Sequence, residues 1–114
     1  MDLEKIKKII REFSSERNWD KYHTPKNLSM ALSVEASELV EIFQWLTQDE
    51  SKNIDSKEIQ SVKDEIADIL IYLIRISDKL DIDLEEAVLE KIKKNGEKYP
   101  VELSKDNAVK YNKR

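Results

Sequence analysis

The sequence contains no cysteine, one glycine and two prolines among its 114 residues. Without cysteine, the chain can form neither disulfides nor thiolate metal sites, and a reducing cytoplasm is the simplest compartment for it. Strands are not expected, because β-branched runs flanked by turn residues are missing. The 39% of charged residues and the scarce turn residues indicate an all-α protein. The length fits one domain over residues 1–114 with a single core.

Long apolar segments and an excess of basic charge are also missing. The longest uninterrupted apolar run, ILIYLI, is far too short to span a bilayer. Acidic residues lie beside the lysines of MDLEKIKKII, and no small-residue cleavage site follows, which argues against a signal peptide. The net charge of −4 argues against a general nucleic-acid-binding protein. We therefore expect no membrane and no nucleic-acid partner, and a polyanionic ligand would need help from bound cations.

Apolar residues at helical spacing predict four helices that together form a bundle. The first helix is predicted from about Asp2, its cap, to Arg17, and the second from Thr24-Pro25 or Asn27 to about Thr47. The third is predicted from about Lys57 to Leu80. The fourth is predicted to begin at a capping box of Asp83 and Glu86 and to end at Gly96. The segment NWDKYHTPKN is predicted to be an aromatic loop, and QDESKNIDS the least ordered part. The tail from about residue 101 is expected to carry a short helix or to stay loose.

The second and third predicted helices are apolar on more than one side. On the second helix, one apolar stripe consists of Leu28, Leu32, Leu39, Ile42 and Leu46. A second apolar patch on another side consists of Met30, Val34 and Trp45. On the third helix, the main apolar stripe consists of Val62, Ile66, Ile69, Leu70, Leu73, Ile76 and Leu80. The opposite apolar face consists of Ala67, Ile71 and Ile74. A narrow polar band between them consists of Glu65, Asp68, Tyr72, Arg75 and Lys79. Such helices are normally buried on several sides. We expect a homo-oligomer built on these two helices, with a monomeric bundle as the alternative.

Two pairs of carboxylates interrupt these apolar surfaces. Glu35 and Glu38, and likewise Glu65 and Asp68, lie one helical turn apart, near enough for each pair to share a cation. Facing pairs would form an all-oxygen site, which suits Mg²⁺ first and Mn²⁺ next. Zinc is disfavoured with one histidine and no cysteine, and a di-iron site lacks its Glu-x-x-His motifs. The alternative is a set of salt bridges to Arg75, Lys63 or another lysine.

The segments EASELVEIFQW, DEIADILIYLI and LEKIKKNGEKYP together resemble the MazG-type all-α nucleoside triphosphate pyrophosphohydrolases, in the short branch that includes the dCTP pyrophosphatases. The likeness covers nearly the whole chain. It implies an Mg²⁺-dependent enzyme that splits a (deoxy)nucleoside triphosphate into the monophosphate and pyrophosphate, and it implies dimers or tetramers whose sites are shared between subunits. The metal ligands that it implies are Glu35, Glu38, Glu65 and Asp68.

The resemblance also implies a nucleotide pocket. Its aromatic positions are Trp19, Trp45 and Tyr72, which suit stacking on a base. Its polar positions near the triphosphate are Lys91, Asn95 and Lys98, and His23 is a candidate contact or rim residue. Core packing is the alternative for Trp45, and a solvated helix face is the alternative for the lysines. The position that resembles a base-contacting histidine of dCTP-preferring relatives is Ile10 here, a departure that bears on base preference.

The expected mechanism is in-line attack of water on phosphorus, with the charge of the triphosphate neutralised by divalent ions. Glu38, at the edge of its stripe, is the candidate to orient or deprotonate the water. The expected role is house-cleaning of the nucleotide pool. Two alternatives remain open: a non-catalytic helical interaction module with structural acidic clusters, and a pyrophosphohydrolase for another phosphorylated metabolite such as phosphoribosyl-ATP.

Overall fold

The computed structural model describes residues 1–113, which contain helices and no strand, so the predicted all-α class is confirmed. The helices are α1 (Leu3–Glu16), α2 (Pro25–Phe43), α3 (Gln48–Ser51), α4 (Ser56–Lys79), α5 (Leu84–Lys98) and α6 (Val101–Ser104), with 3₁₀ turns at Asp20–Tyr22 and Tyr111–Lys113. The four longest are the four predicted helices. None of the helices in residues 1–113 combines the length and apolar character needed to cross a membrane.

Side-chain caps begin the long helices. The side chains of Asp2, Thr24, Asp55 and Asp83 each accept a hydrogen bond from the backbone N–H three residues later, at 2.8–3.2 Å. Each satisfies one of the donors that a helix leaves unpaired in its first turn. The predicted caps Asp2 and Asp83 and the start near Thr24-Pro25 are confirmed.

The predicted second helix is too long at its C-terminal end. Thr47 has an extended backbone and forms a reciprocal capping box with Glu50, which begins α3. A cap residue cannot also continue the preceding helix, so α2 ends at Phe43. The segment predicted to be the least ordered therefore contains a short capped helix.

The prediction that Gly96 closes its helix is wrong. Gly96 lies inside α5, which continues to Lys98 and ends at Tyr99. The next residue, Pro100, disfavours helical dihedrals at Tyr99, and this provides the stop. The tail then carries the short helix α6 and a 3₁₀ turn.

Asparagine and aspartate take the role of glycine where α1 and α4 end. Asn18 and Asp81 both have φ of 54°, in the left-handed region that these two residue types tolerate better than most. After α1, the N–H of Asn18 donates to the carbonyl of Ser15 and the N–H of Trp19 to that of Ser14, at 3.1 and 2.9 Å. These two bonds form a Schellman motif. It fixes the direction in which the chain leaves α1 and so the position of Trp19.

Residues 1–81 form one compact unit in which α2 and α1 both pack against α4. Its most buried apolar side chains are Leu28 and Ile74, at 1% and 3% exposure. In the single chain, Ile66 and Leu73 of the predicted main stripe of α4 are 53% and 39% exposed, while Ile74, from the face predicted to oppose it, is buried. The position of α1 and α2 decides which side of α4 is buried, and hydropathy alone does not reveal it.

The remaining described residues, 82–113, form a second compact unit. Within it the ring of Tyr99 meets that of Tyr111 edge-on at 6.0 Å between centroids, and the Lys98 ammonium lies 5.0 Å from the Tyr111 ring. Three apolar side chains of α5 are exposed, namely Val88, Leu89 and Ile92.

Candidate metal and nucleotide site

Three of the four predicted acidic residues come together where α2 packs on α4. One carboxylate oxygen from each of Glu35, Glu38 and Glu65 lies within 4.8 Å of the other two. Glu35 and Glu38 share a face of α2 because they are one turn apart, and Glu65 faces them from α4. We call these three residues the acidic cluster.

Within the described residues, two oxygens of the acidic cluster are buried without a hydrogen-bond partner. They are Oε2 of Glu35 and Oε2 of Glu65. An unpaired buried carboxylate oxygen is costly, and a bound cation is one of the few ways to satisfy it. Hard ions such as Mg²⁺ and Mn²⁺ prefer all-oxygen ligand sets. The cluster therefore fits a divalent cation.

The electrostatics of the acidic cluster are those of crowded like charges. The adjacent Glu65 carboxyl, and then burial, raises the pKa of Glu35 above its usual value. The adjacent Glu35 carboxyl likewise raises the pKa of Glu38. Ion pairs described within residues 1–113 do not include any of the predicted metal ligands. The salt-bridge alternative to Arg75 in particular is wrong, because Arg75 pairs with Asp20 and Asp78.

Asp68, the fourth predicted ligand, lies close to the acidic cluster but outside the group of oxygens within 4.8 Å. Its charge contributes to the raised pKa of Glu35. Tyr72 is one turn further along α4, where burial, and then the charges of Glu35, Asp68 and Glu38, raises the pKa of its phenol. Asp68 and Tyr72 also line the neighbouring cavity, and Asp68 is one turn from Glu65 on α4, so the cavity lies next to the acidic cluster along that helix.

That cavity has a volume of about 340 Å³ and is mostly apolar. Its walls are aliphatic and aromatic side chains with a few polar groups, and they include Ile9, Ile10, Phe13, Trp19, Leu28 and Ile71. Trp19 is fixed by an edge-on contact with Phe13 at 5.8 Å and another with His23 at 6.3 Å. We call this space the aromatic cavity. An apolar pocket with few polar groups beside a cation site has the form of a small-molecule binding site.

A buried arginine organises the polar side of the aromatic cavity. Arg75 is only 5% exposed, and its Nη2 donates to Asp20 at 2.6 Å while its Nε donates to His23 Nδ1 at 3.3 Å. Its Nη1 lies 3.7 Å from Asp78, a carboxylate that also accepts two hydrogen bonds from Arg11. All three guanidinium nitrogens are thus engaged, which is how a buried charge is stabilised.

The other predicted nucleotide contacts are not among the described residues that line the aromatic cavity. Trp45 follows the end of α2 and is 87% exposed, so the core-packing alternative for it is wrong. Lys91, Asn95 and Lys98 share one face of α5, in the unit of residues 82–113. Trp19, His23 and Tyr72 are the predicted contacts that do line the cavity.

Sequence reasoning missed Arg75, Asp20 and Ser14 as parts of this site. Arg75 was visible in the polar band of α4, but its partners lie 52 and 55 residues away in the chain. No local spacing rule connects residues so far apart. Asp20 is one of several acidic residues near the end of α1 and has no distinguishing pattern.

The geometry defines a class of protein: an all-α protein with a carboxylate cluster suited to a divalent cation and an aromatic cavity beside it. The chain belongs to the MazG-like family, whose model matches residues 30–113. A pyrophosphatase from Archaeoglobus fulgidus is similar in structure, with a TM-score of 0.83 and 46% identity, over 88% of this chain and 94% of that one.

Curated relatives are similar in sequence over nearly the whole chain. The dCTP pyrophosphatase 1 of Mus musculus is 40% identical over 111 residues, which are 96% of this chain and 65% of that protein. The human dCTP pyrophosphatase 1 is 38% identical over the same shares. The chain thus spans about two thirds of the length of these relatives.

Proposed function

We propose that the protein is an Mg²⁺-dependent nucleotide pyrophosphohydrolase. It converts a (deoxy)nucleoside triphosphate, a dNTP such as dCTP, to the monophosphate and pyrophosphate. The observation that carries the proposal is the pair of buried oxygens of Glu35 and Glu65, which have no hydrogen-bond partner within residues 1–113 and lie with Glu38 in the acidic cluster. The pyrophosphatase and dCTP pyrophosphatase names of its relatives agree with this chemistry.

The division of roles follows from the chemistry of each side chain. Glu35, Glu38, Glu65 and Asp68 hold the divalent ion, with Mn²⁺ as the alternative to Mg²⁺. A divalent ion bound by these residues would neutralise charge on the triphosphate and make a bound water more acidic. Glu38 orients or deprotonates that water for in-line attack on phosphorus, with pyrophosphate as the leaving group.

The remaining predicted contacts bind the nucleotide. Trp19 and Tyr72 provide ring faces and edges for the base and sugar in the aromatic cavity, and His23 provides a polar contact. Trp45 is assigned to the same nucleotide from the family resemblance. Three polar side chains of α5 bind the triphosphate, namely Lys91, Asn95 and Lys98, with the two lysines acting as point charges on phosphate.

The working form is a homo-oligomer, a dimer or tetramer, with sites that draw on more than one subunit. The support is the number of large apolar side chains left exposed on a single chain, which include Met30, Val34 and Trp45 of the second apolar patch, and Ile66, Leu89 and Ile92. The proposed setting is cytoplasmic house-cleaning of the nucleotide pool.

The test is an assay of pyrophosphate release from the common dNTPs and NTPs, and from phosphoribosyl-ATP, with and without Mg²⁺. We expect release from at least one nucleotide that depends on Mg²⁺ and disappears in Glu38→Gln and Asp68→Asn. Glu41→Gln is the matched control, because Glu41 lies on the same helix as Glu38 but outside the acidic cluster. Absence of Mg²⁺-dependent release from every substrate would favour a non-catalytic interaction module. Selective release from phosphoribosyl-ATP would mean that the substrate is another phosphorylated metabolite and not a nucleoside triphosphate.

A further inference from the structure

His23 is the single histidine of the chain, and its Nδ1 is committed to accepting hydrogen bonds. Arg75 Nε contacts Nδ1 at 3.3 Å, and a guanidinium N–H can only donate. Ser14 Oγ, from a residue with almost no exposed surface, lies 3.5 Å from the same nitrogen. A neutral imidazole that accepts at Nδ1 must carry its proton at Nε2.

The Arg75 guanidinium itself has little freedom to turn away. Asp20 and Asp78 hold it from two further directions, and Lys79 donates to the same Asp20 oxygen at 2.5 Å. Burial, and then the positive charge of Arg75, lowers the pKa of His23. This direction favours the neutral ring, in agreement with the tautomer that the contacts require.

The free nitrogen of the ring belongs to a residue that lines the aromatic cavity. Hydrogen bonds described among residues 1–113 engage His23 through Nδ1 and its backbone, and none uses Nε2. The rest of the cavity lining is mainly apolar. The Nε2–H would thus be one of the donors that the cavity lining can offer to the edge of a base, together with the indole N–H of Trp19 and the hydroxyl of Tyr72.

We propose that Arg75 is a positioning residue that holds His23 in its Nε2–H form, so that the aromatic cavity offers one fixed donor to a hydrogen-bond acceptor on a nucleobase. This deepens the proposed function, on which it rests for the identity of the ligand. Arg75 does not touch the nucleotide in this account and acts through His23. A tautomer fixed before binding spares the nucleotide the cost of selecting it.

The first experiment is long-range ¹H–¹⁵N NMR of the imidazole at pH 7.5, without nucleotide or metal. Because His23 is the single histidine, its two ring nitrogens need no assignment by mutation. We expect one neutral form with Nε2 protonated and Nδ1 unprotonated. In Arg75→Met we expect a mixture of tautomers or the opposite one. A charged ring or an Nδ1–H form in the wild type would overturn the proposal, and this measurement requires no variant to fold.

The second experiment is a double-mutant cycle on steady-state kinetics with the nucleotide that the pyrophosphate assay selects. Arg75→Met and His23→Phe should each raise KM about three- to tenfold, the range for one hydrogen bond, with kcat changed less than about twofold. The double variant should be no worse than His23→Phe alone. Effects that multiply, or an unchanged tautomer in Arg75→Met, would refute a role through His23.

Arg11→Met is the matched control. It removes a second arginine from Asp78 but touches neither His23 nor the aromatic cavity. It should lower the melting temperature while leaving the tautomer and KM unchanged, and a changed tautomer would mean that the effect is general loosening. The NMR result stands apart from catalysis, so failure of this inference and failure of the proposed function are distinguishable.

Discussion

Replacing Glu35 by glutamine should make the metal-free protein more stable, although Glu35 is one of the proposed metal ligands. The substitution keeps the shape of the side chain and removes one of the crowded charges. With oxygens of Glu35 and Glu65 no more than 4.8 Å apart, two full charges repel by about 3.5 kcal/mol at an effective dielectric constant of 20 and by about 0.9 kcal/mol in bulk water. Since the pair is partly exposed, we expect a gain of about 1–3 kcal/mol in the free energy of unfolding.

The sign of the pH dependence follows from the raised pKa of Glu35. A carboxyl whose pKa is higher in the folded state stabilises the fold below its unfolded value of 4.5, and this contribution is lost as the pH rises through the folded pKa. The advantage of Glu35→Gln should therefore open above pH 4.5 and vanish at pH 4.

The assay is thermal unfolding in EDTA and in Mg²⁺. One kcal/mol corresponds to about 4 °C for a chain of this size. Mg²⁺ at 100 times its Kd should stabilise the wild type by about 2.7 kcal/mol, and Glu35→Gln should lose most of that increment. Glu41→Gln is the control and should behave as the wild type. A Glu35→Gln protein that is less stable than the wild type in EDTA at pH 7.5, or that keeps the full Mg²⁺ increment, would refute the reasoning.

Three further predictions concern stability alone and are measured by denaturant unfolding. Gly96→Ala should raise the free energy of unfolding by about 0.5–1 kcal/mol, because Gly96 lies inside α5 and the added methyl group would meet no atom of residues 1–113 within 4 Å apart from its own helix backbone and chain neighbours; a loss would show that α5 does not persist there. Asp78→Asn should cost about 1–2 kcal/mol at pH 7, because Arg11 lowers the pKa of Asp78, and the deficit should close as the pH falls below 3.8. An unchanged deficit at pH 3 would argue against the ion pair. Asn18→Val should cost about 1–2 kcal/mol and Asn18→Gly almost nothing, since φ is 54°; equal effects would exclude the left-handed turn.

Local patterns predicted most of the secondary structure, and their failures have local explanations. The bounds of α1 and α4 lie within one residue of those predicted because the apolar spacing and the polar flanks agree. The end of α2 was missed although Thr47 and Glu50 carry a capping-box pattern in the sequence. Gly96 was misread because Pro100, four residues later, is the stronger stop signal.

The acidic cluster could be predicted from the sequence more fully than the polar contacts of the aromatic cavity. The spacing of Glu35, Glu38 and Glu65 is local on each helix, so the pairs could be recognised, and only their approach across α2 and α4 required a fold. The contacts of Arg75 with His23 and Asp20 join distant parts of the chain, so only the folded structure reveals them. The buried side of α4 likewise depended on the placement of α1.

The Schellman motif at the end of α1 positions Trp19, and with it much of the lining of the aromatic cavity comes from one short part of the chain. Residues 9–23 provide much of the lining of the aromatic cavity, with the side chains of Ile9, Ile10, Phe13, Trp19 and His23. The acidic cluster comes instead from α2 and α4. Substitutions within this short stretch would change the shape of the aromatic cavity without replacing any residue of the acidic cluster. Homologues can therefore differ in the shape of this cavity while they keep the same three carboxylates.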